Sequence, residues 1–280
     1  MIQKIHSFDE YEDYIRELAG HPLYSDPHFT YDKDNLYRSL KAKNKYSFAV
    51  SENGTTVGLF VWIVLPDDRY IEMLIGFTKS EEAFSEMLSY MEQNYCGYHM
   101  DFVFNPLNAA IFRPLKMKGA IFDPEQQKMI LTGPTPNVST TQIELLSEKW
   151  MKQYCDLHCT DTYYTAERII SAQDKFRVLL AVKDGQIQGY LDVQCCYEIN
   201  EIYALFIKPE AAQQGYEMAL LAKAIELNRP NQIMVVVDVD AKAEIELYSA
   251  AGFRRMEGQN SITASYQAKT IGTIRGRFFD

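Results

Sequence analysis

Two stretches of the chain carry the same pattern, Tyr46–Leu65 (YSFAVSENGTTVGLFVWIVL) and Val178–Gln194 (VLLAVKDGQIQGYLDVQ). Each runs from β-favouring residues through a polar turn and back into β-favouring residues. Each has Ala-Val ahead of the turn (Ala49-Val50, Ala181-Val182) and a pair of glycines four apart (Gly54 and Gly58, Gly185 and Gly189). Asn53-Gly54 and Asp184-Gly185 read as tight hairpin turns, because both residue types tolerate the positive φ such turns demand.

The repeat continues past the hairpins. Next strands fall at Arg69–Phe77 and Asn200–Ile207, each followed by a helix, Ser80–Gln93 and Gln214–Leu227. Thr78-Lys79-Ser80-Glu81 has the spacing of a capping box, and Ala83, Phe84, Met87, Leu88 and Met91 share one face of the helix behind it. Further strands follow at His99–Phe104 and Ile233–Val239. Each leads to a helix closed by glycine: Asn108–Lys118 with Gly119, and Lys242–Ala251 with Gly252. Helices are also expected ahead of each hairpin, at Phe8–Leu18 and Asp34–Ala42, and at Thr141–Tyr154 and Thr165–Ser171. Residues 133–140 (GPTPNVST) read as a linker. The sequence therefore divides into a first domain at 1–132 and a second at 141–280, two copies of one α/β (α+β) architecture.

Composition narrows the function. A formal net charge of −10 with no basic run disfavours nucleic acid as a partner. The longest apolar run, Gly58–Leu65, is far short of a membrane span, and the N-terminal stretch is acidic by residue 9, unlike a signal peptide. Five cysteines in 280 residues do not suggest a disulfide framework. A cytoplasmic protein is expected.

At residues 141–267 the order of elements resembles the GNAT superfamily of acyl-CoA-dependent N-acyltransferases, and residues 1–132 resemble a second, degenerate copy. The resemblance implies tandem twisted mixed sheets flanked by helices. It also implies a strand at 200–207 whose open edge receives CoA. The family motif of strand, Pro, then Arg/Gln-x-x-Gly-x-Gly/Ala matches ALFIKPEAAQQGYEMALLAKAIEL in part. Pro209 and Gly215 fit; Ala212 stands at the Arg/Gln position and Glu217 at the second Gly. By this resemblance Leu205, Phe206, Ile207, Gln213, Gln214, Gly215, Tyr216, Glu217, Met218 and Ala219 form the CoA-binding element. A helix N-terminus offers unpaired N–H groups and a partial positive charge to a pyrophosphate. A Glu217 carboxylate about 5 Å from a phosphate costs about 1 kcal/mol per charge in a water-like dielectric. It would cancel the dipole unless it turned to solvent.

The family's Leu-Tyr-x-x-x-Gly-Phe matches Leu247, Tyr248, Gly252 and Phe253. Ala241 replaces an Asn that often bonds pantetheine, and Glu244 replaces a small residue. In the first half Asn108 keeps the Asn position, Leu115 replaces the Tyr, and Phe77–Ser80 lacks a Gly-rich loop. That half is not expected to bind CoA in the family's way.

The activity implied is direct attack of a neutral amine on the thioester of acetyl-CoA, used as co-substrate with no metal. A backbone N–H near Leu205–Phe206 would support the oxyanion, and Tyr248 would return a proton to the thiolate. Glu201 or Glu198, at the start of the same strand, would serve as base. Glu201 is favoured because it alternates with Tyr203 and Leu205. The departures at Ala212, Glu217, Ala241 and Glu244 leave open a non-catalytic GNAT-fold protein used for ligand binding or assembly. A sensor of another nucleotide-like anion is a third reading. The expected partner is a small-molecule or peptide amine, with the chain a monomer that forms an intramolecular pseudo-dimer, or a homodimer.

Cys155-x-x-His158-Cys159 places three ligand types too close together for a good tetrahedral zinc set. Asp156, Asp161, Tyr163 and Tyr164, nearby in sequence, could hold a cationic amine by charge and ring faces. Cys195-Cys196 reads as buried free thiols. Thr263–Asp280 extends past the expected last strand, as an edge strand or a cover for the first half.

Overall fold

The computed structural model describes residues 1–160, 162–195 and 199–268. Glu198, Asp161, Cys196 and the tail beyond residue 268 lie outside the described residues. The chain forms two compact units, residues 1–126 with 257–280, and residues 127–256.

The first unit contains β1 (Ile2–Ile5), α1 (Glu12–Ala19), α2 (Pro27–Tyr31), α3 (Asp34–Ser39), β2 (Lys45–Glu52), β3 (Thr55–Leu65) and β4 (Tyr70–Thr78). It continues with α4 (Glu81–Asn94), β5 (His99–Phe104), α5 (Ala109–Lys118) and β6 (Ile121–Phe122). β7 (Gln126–Leu131) leads into the second unit, which holds β8 (Ile143–Leu145), α6 (Glu148–Leu157), α7 (Ala166–Ser171), β9 (Phe176–Lys183), β10 (Gln186–Gln194) and β11 (Ile199–Ile207). There follow α8 (Tyr216–Asn228), β12 (Gln232–Asp238), α9 (Lys242–Ala250) and β13 (Phe253–Arg255), and then β14 (Ile262–Gln267).

The two seven-stranded sheets have the same plan, β1-β2-β3-β4-β5-β14-β6 and β8-β9-β10-β11-β12-β7-β13. The strand beside β5 comes from the end of the chain, and the strand beside β12 comes from before the 133–140 segment. The units therefore part at 126/127 and 256/257 rather than at that segment. β14 is an interior strand, paired with β5 from Ile262↔Phe104 to Gln267↔His99 and with β6 at Ala264↔Phe122. Its Ile262, Ala264 and Tyr266 enter the core of the first unit.

Both hairpin turns form as their sequences dictate, with positive φ at Asn53, Gly54, Asp184 and Gly185. The apolar face of α4 is buried at Ala83, Phe84, Met87, Leu88 and Met91. Its N-cap is Ser80, which accepts the Ala83 N–H at 3.1 Å; Thr78 instead bonds the Val57 carbonyl, so the expected box does not form. The helix expected over Thr141–Tyr154 begins only at Glu148. Ile143–Leu145 pairs with Ala181–Leu179 as an edge strand, because its alternate apolar residues fit the sheet.

Candidate functional site

β10 pairs with β11 from Gln194↔Glu201 to Gly189↔Ile207, whereas β12 pairs with β11 only over Ile199–Ile202. Beyond Ile202 the two parallel strands separate. A groove of about 410 Å³ opens along Tyr203–Ile207, lined also by Glu217, Glu244 and Tyr248. Lys208 donates its N–H to Gln188 at 2.8 Å, on the β10 side. Alternation along an extended strand then turns the peptide groups of Leu205 and Ile207 toward the groove. Of the Leu205–Phe206 pair, it is thus the Leu205 N–H that faces the groove.

A bulge sits at the parting. Asp192 pairs with Ala204 and Val193 with Ile202, leaving Tyr203 as an extra residue on β11. The bulge breaks the alternation expected for Glu201, Tyr203 and Leu205. Leu205 joins Ile202 and Ile207 on the α8 side, while Tyr203, Ala204 and Phe206 pack toward α6 and α7. Glu201 is half-buried and does not line the groove. Burial pulls the Lys128 ammonium on β7 below its usual range, and the charge of Glu201 opposes that shift. The expected base is therefore set back from the expected acid.

At the far end of the groove, Pro209–Ala211 forms a single 3-10 turn. Gln213 and Gly215 both adopt positive φ, at 62° and 81°. Gly215 at the N-cap is the residue that makes this turn inexpensive. α8 starts two residues later than expected because Gly215 is left-handed, and no side chain caps it. Gln213, Gln214 and Gly215 are exposed; Tyr216 and Ala219 are buried and Met218 packs beside them. Tyr216 and Ala219 therefore present mainly backbone to a ligand. Glu217 does not turn wholly to solvent: it is half-buried and lines the groove, as does the exposed Glu244.

Tyr248 projects from α9 into the groove wall, 5% exposed, with its ring edge-on to Phe253 at 5.6 Å. Burial, reinforced by the charge of Glu244, pushes its phenol well above the usual range. Tyr248 thus keeps its proton at every physiological pH.

Behind the groove lies a buried polar network that the sequence reading missed. Tyr154 donates its O–H to Asp192 Oδ1 at 2.9 Å, and His158 Nε2 lies 3.0 Å from Asp192 Oδ2. The His158 and Asp192 side chains are 1% and 0% exposed. His158 Nδ1 meets the Cys159 carbonyl at 2.8 Å, so Nδ1 must carry a hydrogen. Burial pulls the His158 pKa down, but the Asp192 and Cys159 acceptors hold it above its ordinary value. The imidazole stacks on Tyr190 at 4.9 Å and Tyr190 on Phe206 at 5.5 Å, which links the network to the groove strand. Both ring nitrogens of His158 are thus engaged, by Asp192 and by the Cys159 carbonyl. The aromatic residues of the following loop are engaged as well. The Arg168 guanidinium covers the Tyr163 ring at 5.0 Å, and Tyr164 packs edge-on to Phe176 and Tyr203.

The first unit repeats the parting of strands but fills it. β5 pairs with β4 only over Tyr70–Met73, and Leu74 is the extra residue of the matching bulge. By register, Leu74, Gly76 and Thr78 correspond to Tyr203, Leu205 and Ile207. Asp26, ahead of α2, accepts the Gly76 N–H at 2.9 Å. His28 Nδ1 meets the Leu74 carbonyl at 2.7 Å, and Asn108 donates to the Thr78 carbonyl at 3.1 Å. The strand groups that line an open groove in the second unit are satisfied here by the unit's own side chains.

Residues 136–266 match the model of the acetyltransferase (GNAT) domain. No curated protein matches the chain. Among solved structures, a GCN5-related N-acetyltransferase from Sphaerobacter thermophilus is 12% identical with a TM-score of 0.60, over 84% of this chain and 85% of that one. A tandem GNAT protein from the clavulanic acid biosynthesis pathway is 11% identical with a TM-score of 0.56, over 96% and 98%. A Pyrococcus horikoshii protein described as a putative acetyltransferase is 14% identical with a TM-score of 0.54, over 96% and 90%. Among the described residues no helix is long and apolar enough to cross a membrane. The chain has the two-copy fold of tandem GNAT proteins, and its residues 136–266 match the GNAT acetyltransferase domain.

Proposed function

We propose that the second unit transfers an acetyl group from a CoA-type thioester to an amine. The observation that carries this reading is the open edge of β11 from Tyr203 to Ile207, facing a groove that also contains Tyr248. In the reaction the amine nitrogen attacks the thioester carbonyl carbon and the C–S bond breaks. The amine gives up one proton and the thiolate takes one, yielding an amide and a free thiol. The Leu205 N–H faces the developing oxyanion and contributes as a preorganised donor. Tyr248, held protonated, is the proton source for the thiolate. Glu201, set back from the groove, acts on the amine proton only through water. The acceptor is a small-molecule or peptide amine.

A second reading, a GNAT-fold protein that binds a ligand without catalysis, is favoured by the two carboxylates in the groove, Glu217 and Glu244. Calorimetry with acetyl-CoA, paired with a thiol-release assay over an amine panel, separates the two. Acetyl-CoA-dependent thiol release supports transfer. Binding with no release over the panel supports the second reading. No heat at millimolar acetyl-CoA overturns the first.

A further inference from the structure

The proposed transfer leaves open which part of the donor the groove recognises, and the charge of its lining bears on that question. Among the described residues the lining includes two carboxylates, Glu217 in the first turn of α8 and Glu244 in the first turn of α9, and no Lys or Arg. The basic residues nearest in sequence, Lys208 after β11 and Lys242 beginning α9, do not line it. The other walls are neutral: Tyr203–Ile207, Ala212, Val235, Val236, Leu247 and Tyr248. Five residues of open strand edge extend about 16 Å at ~3.3 Å per residue. Such an edge offers N–H and C=O groups to the two amides of an extended pantetheine arm. The 3′-phosphate and diphosphate of CoA are polyanionic, and would have to approach the turn where Glu217 sits. Each pair of like unit charges ~5 Å apart weakens binding about fourfold even in a water-like dielectric. The partial positive charge at the start of α8 acts in the opposite direction and is of the same size or smaller.

Building on the transfer proposed above, we infer that the groove selects its donor by the acylated pantetheine arm, with Glu217 and Glu244 discriminating against the nucleotide diphosphate. The donor class is an acyl-pantetheine thioester, and the nucleotide adds little or no affinity.

The test compares S-acetylpantetheine with acetyl-CoA, by calorimetry and by thiol release, at low and high NaCl on the full chain. The expected result is Kd and KM values within about threefold for the two donors. Acetyl-CoA should bind more tightly as salt rises, because screening relieves like-charge repulsion. The S-acetylpantetheine values should not move with salt. Glu217→Gln combined with Glu244→Gln should lower the acetyl-CoA Kd about fourfold or more and abolish its salt response. Acetyl-CoA binding more than thirtyfold tighter than S-acetylpantetheine, and weakening with salt, would overturn this inference while leaving acyl transfer standing. Failure of both donors to bind would overturn the proposed transfer itself and this inference with it.

Discussion

The Asp26 carboxylate accepts the N–H of Gly76 at 2.9 Å, and Gly76 occupies in the first sheet the place that Leu205 occupies in the second. The same strand feature is thus sealed in one copy and open in the other. Asp26 also accepts the Phe29 N–H at 3.0 Å as the N-cap of α2, so one buried side chain both starts a helix and closes the strand edge.

Closing the edge this way has a pH signature. Burial pushes the Asp26 carboxyl up from 3.8 to about 6, against the lowering effects of His28 and the N–H groups of Gly76, Phe29 and His28. A group whose folded pKa is raised favours the fold most below its unfolded pKa. That contribution is lost as pH rises from about 4 through about 6. At 1.36 kcal/mol per pKa unit the change is on the order of 3 kcal/mol. Asp26→Asn removes it. The urea midpoint of the wild type relative to Asp26→Asn should therefore be higher at pH 5 than at pH 8. A difference that does not change with pH would show that Asp26 does not titrate in this range.

Tyr248→Phe deletes the phenol O–H and leaves the ring against Phe253. Turnover should fall by about 10² or more, the range general-acid groups contribute. Donor Kd should change less than twofold, since the ring wall is kept. Because Tyr248 stays protonated well above its ordinary pKa, no basic limb near pH 9–10 in the wild-type profile should belong to it. Unchanged turnover in Tyr248→Phe would remove it from the mechanism.

Much of this architecture was legible locally. The hairpins at Asn53-Gly54 and Asp184-Gly185, the buried face of α4 and the strand–turn–helix around Gly215 each follow from turn chemistry or periodicity within about twenty residues. Features set by distant partners were not. Ile143–Leu145 is a strand because β9 lies beside it, and β7 and β14 take their places through pairing that no local pattern encodes. The Tyr203 bulge shifts Leu205 to the other face, which period-2 counting cannot anticipate. Tyr154 and His158 meet Asp192 across 38 and 34 residues, and the Cys155-x-x-His158-Cys159 spacing around His158 raises the question of a metal without pointing to Asp192. A buried-position Asp in the middle of an apolar strand, LDV at 191–193, was the one available sign.

Removing Asp192 alone should be more damaging than removing the network. Asp192→Ala leaves the Tyr154 O–H and the His158 ring buried without their acceptor. A loss of about 3–5 kcal/mol is expected for breaking such a pair. Replacing Tyr154, His158 and Asp192 together by Phe, Leu and Leu should cost less than the single change, because no side chain of the network is then stranded and the Cys159 carbonyl, on an exposed residue, can turn to water. Chemical denaturation of the single and triple variants measures the difference. Additive losses across the three positions would contradict the account.

Gly189 tests how β11 is held at the open groove. A Cβ at this position would lie 2.4 Å from the Phe206 carbonyl oxygen and 3.0 Å from Ile207 Cα, both backbone atoms that cannot rotate away. At the repeated position Gly58, a Cβ meets the Phe60 ring at 2.6 Å, a side chain that can turn. Gly189→Ala must therefore push β11 away from β10 where Gly189 pairs with Ile207, shifting the Leu205 and Ile207 peptide groups that face the groove. Gly58→Ala can be absorbed by rotation of Phe60 in the first unit. Gly189→Ala is expected to weaken donor binding tenfold or more and to cost about 1–3 kcal/mol, the range for overpacking a tight site. Gly58→Ala should leave donor binding unchanged and cost less. Calorimetry and urea unfolding of the two variants side by side check both parts. Equal effects on donor binding would mean that the β10–β11 spacing does not set the geometry of the groove.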